Sequence, residues 1–540
     1  MHIFSSLSLH MFSITVLYVC FLGCAKTIRE EAKPDTGKPF SFEQHKVSIG
    51  TNKHQKTVLT GFLLGGDFAD LVVVSVDKNK IPNLHIYTFR DNQWGLSVDN
   101  KLNEKVLFVD IVPIDGRDRL ITYQPGRISW FDTDSLMERE LMSITTNFNP
   151  INVNEIPHVD ITRDLNSDGL EDLILPDVDG YWISTQLNNG TFTTPIKVGP
   201  PDAFLDAISL EDGIIYREVG INRMTVQWYL SRVHQMDYNQ DGRSDIVFWN
   251  RDHFDVYLQN SEGGFSTTPV TFTTDVPFDT DGAYSIAFGF SDENMFSLIF
   301  GFRENTERKV LHTFRDINGD GVVDMVIHSL QGRSIGKHRS IYEIHLGAAT
   351  ANGIAFEKDI GMTIKPRGQA GALMPWGYSS VVMQDFDGNG EIDVMFNDVK
   401  TAIGGMTRAM VGKSIAIDIE LYRMKDGTYP DQPATIRKIR PKLDIFETER
   451  VFFPAVLIGD VNGDGRLDLL TGKNWNEMHV FLGIQGEHLF MKQPQKMKIT
   501  MPEDERNIRL VDINRDNKKD ILIYHRSNTE PHQVTMLISK

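Results

Sequence analysis

D-V-N-G-D-G-R-L-D, residues 460–468, decides the fold of this chain. Oxygen-bearing side chains stand at positions 1, 3, 5 and 9 of the stretch. On a tight loop these can converge on one hard cation, and the backbone carbonyl of position 7 adds a fifth oxygen. Glycine at position 6 supplies the positive φ that such a turn needs. Leu469-Leu470 follow at once, and an apolar run also precedes the loop. Strand, acidic turn, strand is a β-hairpin.

The same nine-residue pattern recurs as D-L-N-S-D-G-L-E-D (164–172), D-Y-N-Q-D-G-R-S-D (237–245), D-I-N-G-D-G-V-V-D (316–324), D-F-D-G-N-G-E-I-D (385–393) and D-I-N-R-D-N-K-K-D (512–520). Internal repetition of this kind marks a repeat architecture. The predicted calcium ligands in the first two copies are Asp164, Asn166, Asp168, Leu170 and Asp172, then Asp237, Asn239, Asp241, Arg243 and Asp245. In the next two they are Asp316, Asn318, Asp320, Val322 and Asp324, then Asp385, Asp387, Asn389, Glu391 and Asp393. In the last two they are Asp460, Asn462, Asp464, Arg466 and Asp468, then Asp512, Asn514, Asp516, Lys518 and Asp520. In each set the residue at position 7 of the nonapeptide contributes its carbonyl. In the last copy Asn517 replaces Gly, a substitution compatible with the left-handed conformation, and Lys518 and Lys519 crowd that loop with positive charge.

An EF-hand opens with the same spacing but requires a bidentate Glu at position 12 and flanking helices. Position 12 here is Leu175, Phe248, Ile327, Phe396, Thr471 and Ile523, which excludes that reading. The motif and its strand context resemble the FG-GAP/VCBS repeat, the calcium-loop repeat of integrin α-chain propellers and of many bacterial surface proteins, over roughly residues 40 to 540. The resemblance implies an all-β β-propeller holding about six structural Ca²⁺. It implies little about activity, because one scaffold hosts many functions.

Two degenerate copies precede the six. Gly65–Asp70 leads into Leu71–Val74, and Pro113–Asp118 leads into Leu120–Tyr123, both without the row of ligands. That makes eight hairpins. Further strand-like runs follow each of them, as in Tyr181–Leu187 with Phe192–Val198 and Phe254–Leu258 with Phe265–Phe272. Four strands per unit is a propeller blade, so the expectation is eight four-stranded blades, with seven as the fallback. The last unit is one strand short, and Phe40–Ile49 is the candidate to complete it, closing the ring with strands from both termini.

The remaining bounds agree. The chain has 540 residues, 41% hydrophobic and 24% charged, with Phe (32) outnumbering Tyr and Trp together. Its net charge of −18 argues against nucleic acid as a partner. Eighteen Asp lie in the six motifs, and six Ca²⁺ would take the net charge to −6. Cys20 and Cys24 are the only cysteines, so calcium stands in for a disulfide framework.

Residues 1 to 24 hold no Asp, Glu, Lys or Arg, and Met11–Leu22 is an apolar core of signal-peptide length. Phe21-Leu22-Gly23-Cys24 resembles the lipobox of bacterial lipoproteins, though Phe21 stands where Leu is usual and the leader lacks Lys and Arg. The expected organisation is a signal peptide at 1–23, a lipid anchor at Cys24 with a tether to residue 39, and the propeller at 40–540. The expected location is the cell envelope, as an outer-membrane lipoprotein, with plain secretion or an uncleaved anchor as alternatives.

The long inter-strand segments 200–226, 274–308, 330–341 and 398–414 are where a specific function could sit. Arg333, Lys337, His338 and Arg339 make one of them basic; Arg367, Trp376 and Tyr378 mark another candidate stretch at 362–378. Gly412-Lys413-Ser414 lacks the first glycine of a P-loop, since Thr407 stands there. No H-E-x-x-H or G-x-S-x-G occurs, and Asn189-Gly190-Thr191 is a glycosylation sequon in an expected turn. No catalytic centre is identified. The reading is a calcium-binding adhesion, binding or scaffold module with an unknown protein or glycan ligand and a membrane link through Cys24. The alternative is a calcium-dependent polysaccharide lyase or other glycan-active enzyme on the same scaffold; part of a toxin-complex shell is a third possibility.

Overall fold

The structure is a computed structural model that describes Phe40–Lys540 except 51–55, 147–154, 178–179, 200–232, 282–305, 333–338, 368–380, 400–415, 441–454, 487, 503–506 and 527–531. The described residues contain no α-helix. They form eight sheets of four or five strands, antiparallel but for one short pair, and one small two-stranded sheet. Blade 1 holds Lys56–Gly61, Asp70–Val76, Pro82–Arg90 and Gln93–Lys101. Blade 2 holds Phe108–Ile114, Arg117–Gln124, Gly126–Asp132 and Met137–Ile144. Blade 3 holds Thr162–Arg163, Asp172–Asp177, Gly180–Ser184 and Ile196–Val198, and blade 4 holds His234–Met236, Asp245–Asn250, His253–Tyr257 and Val270–Phe272.

Blade 5 is built from Thr306–Arg315, Asp324–Gly332, Arg339–His345 and Met362–Ile364. It departs from the simple count. Thr280–Asp281 adds a short parallel strand beside its first strand, and a hairpin, Gly347–Thr350 with Gly353–Phe356, is inserted before its last. Blade 6 holds Val381–Gln384, Asp393–Val399, Ile417–Tyr422 and Thr435–Ile439; blade 7 holds Val456–Gly459, Asp468–Asn474, Glu477–Phe481 and Gln495–Lys498.

Blade 8 takes three strands from the C-terminus, Ile508–Val511, Asp520–His525 and Gln533–Ser539. Its outer strand is Phe42–Ser48, paired antiparallel with Gln533–Ser539 from Phe42 opposite Ser539 to Ser48 opposite Gln533. The fold is therefore an eight-bladed β-propeller closed by strands from both ends of the described chain, as the shortfall in the last repeat had implied.

The core explains the ring. Second strands are buried on both sides; all six residues of Asp172–Asp177 are buried. Alternating side chains of a strand face opposite ways, and here each face meets a different neighbour. Leu173 and Leu175 pack with Ile121 and Tyr123 of blade 2, whereas Ile174 packs with Ile246 and Phe248 of blade 4. Leu469 likewise joins Met395 of blade 6, and Leu470 joins Ile521 of blade 8. Eight apolar clusters result, each shared by two consecutive blades. The eighth joins Leu71 and Val73 of blade 1 to Leu522 and Val534 of blade 8. Each fully buried aliphatic side chain contributes about 1.5–3 kcal/mol, so the interfaces, not the separate sheets, carry most of the apolar stabilisation.

Candidate metal loops

All six acidic nonapeptides connect the first and second strands of blades 3 to 8, and one hydrogen-bond pattern repeats in them. The first Asp caps the turn from within. One of its oxygens accepts the position-6 N–H, at 3.0 Å in Asp164, 2.9 Å in Asp237 and Asp316, 2.8 Å in Asp385 and Asp460, and 3.1 Å in Asp512. In turn the position-5 side chain accepts the N–H of position 7, as in Leu170 to Asp168 (2.8 Å) and Arg466 to Asp464 (3.0 Å). Two residues per loop are left-handed. Position 6 was expected; position 4 was not, and there Ser167 (φ 61°), Gln240 (φ 58°) and Arg515 (φ 57°) adopt the conformation without being glycine.

The ninth Asp is the structural brace. Asp172, Asp245, Asp324, Asp393, Asp468 and Asp520 are all fully buried. Each accepts the N–H of position 2 on one oxygen, for example Val461 to Asp468 at 2.9 Å and Ile513 to Asp520 at 2.8 Å. The other oxygen accepts an N–H from just beyond the third strand or at its end, such as Gly483 to Asp468 and Ser539 to Asp520, both 2.7 Å. The carboxylate thereby ties three strands together, and each oxygen keeps a second lone pair. Burial pushes these carboxyls up, to about 7 in Asp172, Asp393 and Asp468 and about 6 in Asp520, because desolvation penalises the charged form. Asp70 keeps part of this arrangement in blade 1, one of its oxygens accepting the N–H groups of Leu63 (2.9 Å) and Leu64 (2.7 Å), although Phe62, Leu64 and Gly66 stand at the other side-chain ligand positions of that loop.

Each loop is also fastened to the next blade. Its position-2 side chain (Leu165, Tyr238, Ile317, Phe386, Val461 or Ile513) is buried in the cluster shared with the following blade. Polar contacts add to this. Asn166 Nδ2 donates to the Gly263 carbonyl (3.2 Å) and Gln259 Nε2 to the Asn166 carbonyl (3.2 Å), linking the loop of blade 3 to blade 4. Lys519 N–H reaches the Asp460 carbonyl (2.7 Å) and Ala69 N–H the Ile513 carbonyl (2.6 Å), so blade 8 grips blade 7 and blade 1 grips blade 8. The sequence reading missed these contacts, although the unvarying apolar character of position 2 was the signal for them.

Blade 6 gathers three carboxylates, because Asp387 stands where the other five loops carry Asn. Oxygens of Asp385, Asp387 and Asp393 lie within 4.8 Å of one another. Asp387 has a side chain only 1% exposed, and neither oxygen accepts a hydrogen bond; the Arg423 guanidinium stands 2.8 Å from one of them. Asp512 Oδ1 in blade 8 is likewise buried without a hydrogen-bond donor. Buried carboxylate oxygens left short of donors are what oxygen-seeking cations such as Ca²⁺ satisfy. In each loop the residues available to hold such an ion are those at positions 1, 3, 5 and 9 with the carbonyl of position 7.

The other candidates fare differently. Asn189 sits in an exposed turn where its Oδ1 accepts the Thr191 N–H (3.0 Å) and hydroxyl (2.6 Å). Arg339 is exposed, and the Arg367 N–H donates to Glu420 (2.9 Å). Cys20, Cys24, Arg333, Lys337, His338, Trp376, Tyr378, the whole of 200–226 and most of 274–308 and 398–414 lie outside the described residues. Among the described residues no helix is long and apolar enough to cross a membrane.

Residues 460–523, from the loop of blade 7 into the second strand of blade 8, match the model of the FG-GAP-like repeat family. No curated protein matches the chain. Among solved structures, the WD40 domain of SCAP from fission yeast aligns over 92% of this chain and 98% of its own, with 7% sequence identity and a TM-score of 0.29. The chain is thus an eight-bladed β-propeller in which residues 460–523 are similar to the FG-GAP-like repeat.

Proposed function

We propose that this protein is an exported, calcium-stapled binding or scaffold module of the cell envelope, anchored through Cys24 and presenting its inter-strand loops to a protein or glycan partner. The observation that carries the calcium reading is the Asp385–Asp387–Asp393 group, a largely buried convergence of carboxylates in which neither Asp387 oxygen accepts a hydrogen bond and one faces only the Arg423 guanidinium. A divalent ion there would neutralise charge that burial otherwise penalises, and the same residue types recur in five further loops. Because every loop is fastened to the next blade, an ion in it would stiffen an interface as well as a hairpin. The scaffold reading is supported by the architecture, a closed ring of eight blades in a chain with long inter-strand segments.

The test is thermal unfolding with and without chelator. A ligand that binds only the folded state adds about 2.7 kcal/mol per site when it is a hundredfold above its Kd, so six sites would give a large fall in melting temperature in excess EDTA, restored by Ca²⁺ and not by Na⁺. An unchanged melting curve, with no calcium found by metal analysis, would defeat the calcium reading. Export and anchoring are tested separately, by fractionation of cells expressing the wild type and Cys24→Ala: the wild type should sediment with membranes and the variant should not.

A further inference from the structure

The six loops are not equivalent, and the difference lies in cations supplied by the chain itself. In blade 4 the position-7 side chain folds back, and Arg243 Nη2 pairs with Asp241 of its own loop. Blade 7 repeats this, with Arg466 Nη2 2.8 Å from Asp464, and blade 8 does so with Lys518 Nζ 3.0 Å from Asp516. Blade 6 has Glu391 at position 7, but Arg423, just past the third strand, reaches Asp387 at 2.8 Å. Blades 3 and 5 carry Leu170 and Val322 at position 7. Among the described residues, no Lys or Arg pairs with Asp164, Asp168, Asp316 or Asp320.

We infer that the sites form two classes: those of blades 3 and 5 bind Ca²⁺ tightly and fill first, whereas those of blades 4, 6, 7 and 8 are held in reserve by a tethered cation. This rests on the calcium reading above. The physical reason is competition. A divalent ion entering a paired loop must displace the guanidinium or ammonium from a ligating carboxylate and then tolerate that positive charge a few ångströms away. An unpaired loop imposes neither cost. Partly exposed pairs of this kind are weak individually, so the expected separation between classes is about tenfold in affinity. The pairing also means that a paired loop need not be left as uncompensated anionic charge when calcium is scarce, which lets the ring persist over a range of calcium concentration.

The experiment is calorimetric titration of the full chain, freed of metal by chelator and dialysis, with CaCl₂. Wild type should give two tight sites followed by four weaker ones. Lys518→Gln should move one weak site towards the tight class, since the only ion pair of its ammonium among the described residues is with Asp516. Leu170→Arg should move one tight site to the weak class. These single changes lie on exposed or half-exposed loop positions; Arg243 and Arg466 are avoided because their Nε groups also hold the carbonyls of Gln259 (3.2 Å) and Gly483 (3.1 Å). One uniform class of six in the wild type, or a two-to-four partition that neither variant alters, overturns the inference and leaves the calcium reading standing. Absence of any binding heat or bound calcium overturns the calcium reading itself.

Discussion

At the residue scale the nine positions of the loop divide their labour. Positions 1 and 5 shape the turn, position 2 anchors it in the neighbouring interface, and position 9 braces the blade. The brace is the most consequential. Asp468→Ala would leave the N–H groups of Val461 and Gly483 unpaired in a site with no solvent access. Each unsatisfied donor costs about 1–3 kcal/mol, so the variant should lose about 2–6 kcal/mol in urea unfolding, whereas Ser167→Asn, at an exposed left-handed position, should cost little. A second residue-scale effect concerns pH. His312 and His328 both pack against the Tyr342 ring in blade 5, His328 stacked at 4.5 Å with its Nε2 3.0 Å from Ser340 Oγ. Burial depresses both imidazoles, to about 4 in His312 and about 3 in His328, from an ordinary value of 6.5. With folded values below unfolded ones, these groups contribute stability that is fully present above pH 6.5 and is lost as pH falls towards 4. The difference in unfolding midpoint between wild type and His328→Gln should therefore narrow or reverse from pH 7 to pH 4.5. A constant difference would show that the imidazole does not titrate against the fold.

At the element scale the second strand of each blade is the keystone, since its two faces serve two different interfaces. Ile174 is fully buried against blade 4 while its neighbours Leu173 and Leu175 face blade 2. Ile174→Ala should cost about 2–5 kcal/mol from lost burial and the cavity left behind, read as a fall in urea midpoint. The exposed Val270, on the outer strand of blade 4, should tolerate Val270→Ala with a change within about 0.5 kcal/mol. The apolar run after every acidic loop was legible in the sequence as a strand. That it is buried on both faces was legible too, because it shows no alternation with polar residues. Which residue faces which neighbour was not, since that depends on the order of blades in space.

At the scale of the whole molecule, the ring is closed by Phe42–Ser48 lying on Gln533–Ser539. Val47 is buried with Leu71 of blade 1 and Met536 of blade 8, and Phe40 packs with Val480 and Leu537 between blades 7 and 8. Removing residues 1–49 should strip blade 8 of its outer strand, leave the Gln533–Ser539 edge unpaired and promote self-association. Light scattering after size exclusion should show oligomers or a lowered melting temperature for the truncated chain; a monomer as stable as the chain truncated only to residue 39 would argue that closure is dispensable.

The sequence by itself determined the repeat, the hairpin at each acidic loop, the count of eight and the strand needed to complete the last blade. These follow from local chemistry: carboxylates two residues apart, a residue that tolerates positive φ, and apolar runs on either side, all within nine or so residues. Only the tertiary structure decided how the loops are used. The ninth carboxylate bonds to N–H groups beyond the third strand, position 2 enters the next blade's core, and Arg423 reaches Asp387 from 36 residues away in the same blade. Those partners are remote along the chain and meet only because curved sheets stack side by side around a closed ring, a relation that no window of sequence contains.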